Sequence, residues 1–125
     1  MIKKILILMV AGFVNWQFTT FTLAYDGQVS IKGVISNPVH YDGKKVTVEG
    51  EIEKVHYTTS SSGNPYTLFR LYDSEHNSIG VYSKGRLLIS KGTKVRVTGE
   101  FKKEKRAVIF KFKNVIKAKQ VEEIG

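Results

Sequence analysis

Between Lys44 and Val121, apolar and polar residues alternate with a period of two, and the alternation breaks at clusters of Gly, Asn, Asp, Ser and charge. This is the pattern of half-buried strands separated by turns. The first strand runs from Lys45 to Tyr57, with Val46, Val48 and Ile52 on one side and Thr47, Glu49, Glu51 and Glu53 on the other. Gly50 interrupts the apolar row, and Val55 falls on the opposite parity, which places a bulge near Glu53–Lys54. A long first strand with a central glycine can bend across both sheets of a barrel. Thr58 to Pro65 is a polar loop with little to hold it down. The second strand, Tyr66 to Asp73, is bulky on both faces. Tyr66, Leu68, Arg70 and Tyr72 oppose Thr67, Phe69 and Leu71, and the period leaves open which face points outward.

A turn at Ser74–Asn77 leads into a third strand, Ser78 to Lys84, with Ile79 and Val81 opposite Tyr82. The fourth, Lys94 to Lys103, alternates cleanly: Val95, Val97, Gly99 and Phe101 inward, Lys94, Arg96, Thr98, Glu100 and Lys102 outward. Lys102-Lys-Glu-Lys-Arg106 reads as a charged hairpin loop. The fifth strand starts at Val108, with Phe110 and Phe112 inward and Lys111 and Lys113 outward. It changes phase near Asn114–Val115 and ends around Val121. The third and fourth strands are separated by Gly85-Arg-Leu-Leu-Ile-Ser-Lys-Gly92, read as a short helical turn whose Leu87, Leu88 and Ile89 plug the barrel. The expected fold is therefore all-β, a five-stranded Greek-key barrel. Barrels of this kind bind ligands on one face.

Upstream, Ile31, Val34 and Ile35 have the spacing of one face of a short helix, with Ser30 as N-cap and Pro38 as its stop. Gly33 weakens a helix, and a short strand is the alternative. Tyr41-Asp42-Gly43-Lys44 is a turn. The chain opens with Lys3 and Lys4 before the apolar run Ile5–Val14, followed by Thr22-Leu23-Ala24. These are the parts of a secretory signal, with cleavage expected after Ala24 and a periplasmic or secreted location. An uncleaved membrane anchor is the alternative, although Asn15, Gln17, Thr19, Thr20 and Thr22 are polar for a span. The organisation is then a signal at 1–24, a lead-in at 25–43, the barrel at 44–121 and a tail at 122–125.

The chain has 20 Lys+Arg against 11 Asp+Glu, a formal charge of +9, and no cysteine. Loss of Lys3 and Lys4 with the signal leaves 18 against 11, or +7. A basic surface attracts polyanions, anionic headgroups or acidic partners. With no thiol there is no disulfide, no thiolate metal ligand and no lipoprotein anchor, so the apolar core must hold the domain together.

The stretch from Lys44 to Val121 resembles the OB-fold, the oligonucleotide/oligosaccharide-binding barrel, over about three-fifths of the chain. Asn37-Pro38, Tyr41-Asp42-Gly43-Lys44 and Val46-Thr-Val-Glu-Gly-Glu-Ile52 are similar to small anticodon-binding-like OB-fold proteins. Tyr66–Asp73, Ile79–Gly85 and Lys91–Phe101 also resemble the periplasmic haem chaperone of cytochrome c maturation. That family carries haem on a histidine beyond the barrel. The tail here, Ala118–Gly125, has none, and the histidines are His40, His56 and His76. Haem carriage therefore does not transfer, and no cofactor is expected.

Catalytic chemistry is sparse. Glu49, Glu51 and Glu53 share a strand face, but same-face strand neighbours lie about 6–7 Å apart and do not converge on one ion. Ser60 to Ser62 have no evident base, and no phosphate loop, nucleophile elbow or zinc motif is present. The chain reads as a non-enzymatic binding module. OB-folds bind polymers across strands two and three, flanked by the loops after strands one and four. That surface would draw on Tyr57, Tyr66, Arg70, Tyr72, Tyr82, Lys84 and Arg86, with Lys102, Lys103, Lys105 and Arg106 from the charged loop. Rings stack on bases while cations track phosphates. The expected ligand is a polyanion, most simply single-stranded nucleic acid. The alternatives are a protein-interaction or assembly accessory at the cell envelope and a small-ligand carrier. A bland reading of the same residues is that the tyrosines pack and the lysines blunt strand edges.

Overall fold

The computed structural model describes residues 28–106 and 111–125. The segment at 1–24 expected to be a signal, Val108, Phe110 and the side chain of Lys111 lie outside the described residues. Two short helices, α1 (Ile31–Ser36) and α2 (Pro38–Tyr41), precede five strands: β1 (Lys45–Thr59), β2 (Pro65–Tyr72), β3 (Ser78–Lys84), β4 (Lys94–Arg106) and β5 (Lys111–Glu123). The strands close in the order β1-β2-β3-β5-β4, with β4 returning to β1. All neighbours are antiparallel except β3 and β5, which pair in parallel from Gly80–Val115 to Tyr82–Lys117. This is an OB-fold-like barrel with short N-terminal helices.

β1 belongs to both halves of the ring. Lys45–Glu51 pairs with β4, and Glu51–Thr59 pairs with β2. The strand turns between the two at Gly50, where a Cβ would lie 2.8 Å from the Tyr72 carbonyl oxygen. The expected bulge is present: the β1–β2 register shifts between Glu53 and His56, around Lys54 with φ 56°. On β2 the structure settles the open question of faces. Thr67, Phe69 and Leu71 are buried, and Tyr66, Leu68, Arg70 and Tyr72 point outward, each half-buried. The inward set carries no charge, so the interior needs no partner for an ion.

The core gathers Val46, Val48, Ile52, Phe69, Leu71, Ile79, Val81, Val95, Val97, Phe101 and Ile116 with Ile31 and Val34 of α1. Full burial of each such side chain is worth about 1.5–3 kcal/mol relative to exposure. Thr47 is also buried, because the lead-in covers it. The amide of Val29 donates to the Thr47 carbonyl (2.9 Å), and the hydroxyls of Thr47 and Thr98 share a 3.1 Å hydrogen bond. Ser30 caps α1 by accepting from the Gly33 amide at 2.9 Å. Pro38 follows the end of α1 and also starts α2, where its missing N–H costs nothing.

Several expectations are corrected. No helical turn joins β3 to β4. The amide of Gly85 donates to the Pro65 carbonyl (2.8 Å), that of Gly92 to Ile52 (2.7 Å), and that of Ile52 to Thr93 (2.9 Å). The segment is thereby pinned along β1 and β2 at both ends and forms no helix. Leu87 and Ile89 consequently pack against the core while Leu88, between them, is fully exposed. Ile31 and Val34 of α1 are fully buried in the core.

Lys102–Arg106 is strand and not loop, since Lys102, Glu104, Lys105 and Arg106 pair with Val115, Lys113, Phe112 and Lys111. Phe112, expected inward, is exposed. Past Phe101 the β4–β5 ribbon has left the barrel, so inward parity no longer leads to an interior. The loop after β1 is also better held than its composition suggests. Ser60 and Asn64 close it through Ser60 N–H to Asn64 C=O (2.8 Å) and Asn64 N–H to Ser60 Oγ (3.1 Å).

The β2–β3 turn depends on Asp73. Its Oδ1 accepts from the amides of Glu75 (2.8 Å) and Asn77 (2.9 Å), and Oδ2 accepts from Asn77 Nδ2 (2.9 Å). Desolvation pushes this carboxyl upward, but the bonds from Asn77 and Glu75, helped by the nearby His76, outweigh it and hold its pKa below the ordinary value. A depressed carboxyl stabilises the fold above its unfolded pKa and ceases to do so as pH falls through the folded one. Asp73→Ala should therefore cost about 1 kcal/mol at pH 7. In urea titrations the gap from the wild type should narrow below the carboxylate range. An equal gap at pH 7 and pH 2.5 would show that the carboxylate form is not what matters.

Candidate functional site

The register of β2 and β3 sets Tyr66 opposite Lys84, Leu68 opposite Tyr82, Arg70 opposite Gly80 and Tyr72 opposite Ser78. These outward residues form one continuous surface. The rings of Tyr66 and Tyr82 are 6.3 Å apart at a tilt of 51°. Arg70 lies along the sheet: its Nε and Nη2 donate to Ser78 Oγ at 3.3 and 3.0 Å. Gly80 leaves it room, since a Cβ there would sit 3.4 Å from Arg70 Nη1 and 3.1 Å from Val115 Cγ1. The surface thus carries the rings of Tyr66, Tyr72 and Tyr82 and a flat guanidinium.

Charge divides this surface into two ends. At the Tyr66–Tyr82 end, β3 and β5 diverge after their short ladder and leave a cleft of about 330 Å³. It is lined by Tyr66, Tyr82, Lys84, Lys117 and Lys119, with Ser83 and Ala118. Lys105 of β4 stands near Tyr82, its Nζ 6.0 Å from the ring centre. Among the described residues no carboxylate lines this cleft, and Glu100 is the one that acts on Tyr82 from beside it. At the Tyr72 end, a groove of about 880 Å³ is lined by Glu49, Glu51, Glu53 and Asp73 together with Lys54 and Lys94. Burial raises the pKa of Tyr82 above its ordinary value, with smaller contributions from Glu100 and Tyr66.

Of the residues singled out in the sequence, Tyr66, Arg70, Tyr72, Tyr82 and Lys84 come together on this face, and Lys105 joins them. Tyr57 and Arg86 do not. They form a separate pair beside the β3–β4 loop, where Tyr57 Oη donates to the Leu87 carbonyl at 2.8 Å and the Arg86 guanidinium stands 5.1 Å from the Tyr57 ring centre. The β1 bulge puts Tyr57 on the parity of Val55, away from the outer surface. Lys102 is held by Glu100 at 3.5 Å and Arg106 by Glu104 at 3.6 Å. Lys103 is exposed and its amide donates to Asp42 Oδ1 at 2.8 Å.

The sequence reading missed Lys117 and Lys119, and also His56 and Thr58, which stand opposite Leu68 and Tyr66 on β1. The lysines have the two-residue spacing of an outward strand row. Their placement was hidden by a β5 bulge at Lys119, the residue left over between the pairs Thr98–Gln120 and Gly99–Ala118. The three glutamates of β1 do not gather: Glu49 binds Arg96 at 2.9 Å and Glu53 faces Lys91 at 3.7 Å. Among the described residues no group of three metal-ligating side chains converges.

No protein-family model and no curated protein matches the sequence. Solved structures do. The small single-stranded DNA-binding protein from Streptomyces coelicolor aligns with a TM-score of 0.52 and 18% identity, over 66% of this chain and 94% of that one. A chain from Leishmania major Friedlin assigned as an aspartyl-tRNA synthetase aligns with a TM-score of 0.58 and 12% identity, over 77% of this chain. The match spans one fifth (20%) of the synthetase chain. At these identities the likeness establishes the barrel.

Proposed function

We propose that this protein is a non-catalytic module that binds single-stranded nucleic acid across the outer face of β2 and β3. The observation that carries the reading is the basic end of that face: the Tyr66–Tyr82 ring pair, flanked by Lys84, Lys105, Lys117 and Lys119, with no carboxylate in the lining among the described residues. Rings supply sequence-tolerant stacking and the ammonium groups follow phosphates. The single-stranded DNA-binding protein among the fold neighbours supports the same direction. Charge makes the Tyr72 end, beside Glu51 and Asp73, the less favourable place for a polyanion.

The N-terminal Lys3-Lys4, the apolar run Ile5–Val14 and Thr22-Leu23-Ala24 support export to the periplasm or cell exterior as part of this reading. No helix among the described residues is long and apolar enough to cross a membrane.

Fluorescence anisotropy of labelled single-stranded DNA and RNA with the full chain, across a salt series, tests the proposal. Binding should weaken steeply with salt, and Lys84→Ala should reduce the slope by about 0.7. Tyr66→Ala should cost roughly 5- to 150-fold, the worth of one stacked base. Tyr57→Ala, on the other side of the β1–β2 ribbon, should leave affinity unchanged. Absence of binding at low salt, or equal loss with Tyr57→Ala and Tyr66→Ala, would overturn it.

A further inference from the structure

Beyond Phe101 the β4–β5 ribbon encloses no core, and its composition changes there. Residues 102–106 and 111–113 carry six cations, Lys102, Lys103, Lys105, Arg106, Lys111 and Lys113, against one carboxylate, Glu104. Lys103, Lys105, Arg106, Phe112 and Lys113 are exposed. A ribbon built only for solubility would set opposite charges across from each other, as it does with Glu104 and Lys113. The register also sets Arg106 opposite Lys111, and like charges on one rung destabilise a strand pair. Lys103, Lys105 and Lys113 take part in no ion pair among the described residues. Positive charge is thus gathered at the end of an arm that contributes nothing to the interior, which suits contact with an external anion.

Phe112 decides which anion. Its ring is 36% exposed, stands on the rung of Lys105, and lies between Lys111 and Lys113 in the chain. The sequence joining the two strands, Ala107-Val-Ile-Phe110, is apolar throughout and lies outside the described residues. A nucleic-acid backbone offers such a sequence no apolar medium. A lipid surface offers headgroup phosphates to cations and acyl chains to the apolar groups among them. We propose that the far end of the β4–β5 ribbon docks on an anionic lipid surface, with Lys103, Lys105, Arg106 and Lys113 among the headgroups and Phe112 at their boundary with the acyl chains. By the strand period, Lys103 and Lys105 share one face of the ribbon with Phe112, and Arg106 and Lys113 share the other. With cations on both faces the ribbon meets the surface end-on and does not lie flat against it. This docking does not depend on the nucleic-acid reading, since of the residues that carry that reading only Lys105 lies on the arm.

The chain has no cysteine, so one introduced thiol carries a single probe. A polarity-sensitive fluorophore is attached to the full chain at Glu104→Cys on the ribbon or, separately, at Glu75→Cys in the β2–β3 turn at the Tyr72 end. Each is titrated with vesicles of phosphatidylcholine alone and with vesicles containing phosphatidylglycerol. The ribbon probe should shift to the blue with the anionic vesicles only, and the turn probe with neither. Attachment through the apolar run Ile5–Val14 is thereby told apart from docking of the ribbon. Lys103→Ala/Lys113→Ala, added to the ribbon-labelled chain, should move the equilibrium of the probe toward water by about 25-fold, since each cation is worth about fivefold at an anionic surface. High salt should act in the same direction. Both lysines are exposed, so the Tm should not fall. Equal shifts at the two labels, an equal ribbon shift with phosphatidylcholine alone, or a shift indifferent to the double variant would overturn the docking. If no ribbon shift occurs and the double variant instead weakens a labelled oligonucleotide, the ribbon belongs to the nucleic-acid site, and lipid docking falls while the outer-face reading stands. A ribbon shift with the expected variant effect, in a protein that binds no oligonucleotide, would remove the outer-face reading alone.

Discussion

Phe101→Ala lowers the unfolding free energy by about 3–5 kcal/mol, the range for truncating a fully buried aromatic side chain. Phe101 is 0% exposed and heads the fully buried side chains by volume. It also sits where the barrel meets its lead-in. Its amide donates to the Lys44 carbonyl at 2.9 Å and its carbonyl accepts from the Gly43 amide at 2.8 Å. The closing turn there has Asp42 at φ −55°, ψ 126° and Gly43 at φ 80°, the angles of a type II turn. These backbone bonds survive the truncation, so the cavity cannot collapse by moving β4 inward. Because small domains are stable by only about 5–15 kcal/mol, a large part of the stability goes with one ring. Urea denaturation of the two proteins measures the difference. A loss under about 1 kcal/mol would mean that the surrounding strands repack freely and that the interior is not close-packed.

Gly99→Ala produces the second large effect, about 3 kcal/mol, near the upper end of ordinary overpacking. Gly99 is opposite the β5 bulge, and an added Cβ would meet the Lys117 carbonyl oxygen and lie 2.8 Å from Ala118 Cα. Both obstacles are backbone, so no rotamer change relieves them. The chain must either straighten the bulge or separate β4 from β5. Thermal unfolding reads the loss, and the amide chemical shifts of Lys117–Gln120 show which response occurs. A variant with unchanged Tm and unchanged shifts would mean that the bulge is not as tightly opposed as described.

Most of the barrel was legible in the chain because its strands obey a period of two where they face the core. Val46, Val48, Ile52, Val95, Val97 and Phe101 are all buried as their spacing implies. The phase break at Val55 marked a real bulge. What could not be read lies where the period ceases to correspond to inside and outside. The Lys102–Arg106 run looks like a loop because it has no apolar row, yet backbone pairing with β5 keeps it a strand in solvent. Leu87, Leu88 and Ile89 look like a helical plug because three apolar residues in sequence do not declare their period. Pinned at Gly85 and Gly92, they alternate instead. The face of β2 was undecidable locally, since Tyr66 and Phe69 are equally large. It was decided by what β3 and β5 place on each side. The same holds for the candidate site: its tyrosines and Arg70 could be named from sequence, whereas Lys117 and Lys119 depend on a bulge that only the pairing with β4 reveals.

The three-residue parallel ladder between β3 and β5 bears on how the molecule is made. Hairpins can join β1 to β2, β2 to β3 and β4 to β5 as each pair of strands emerges, but the two links that close the ring, β1 with β4 and β3 with β5, join strands distant in the chain. The β3–β5 link waits for the last strand in the chain, and until it forms β3 keeps a bare edge of unpaired amides and carbonyls. Such an edge is a template for foreign strands. The seam that gives the folded protein its cleft is thus the seam through which an unfinished copy is most exposed to misassembly.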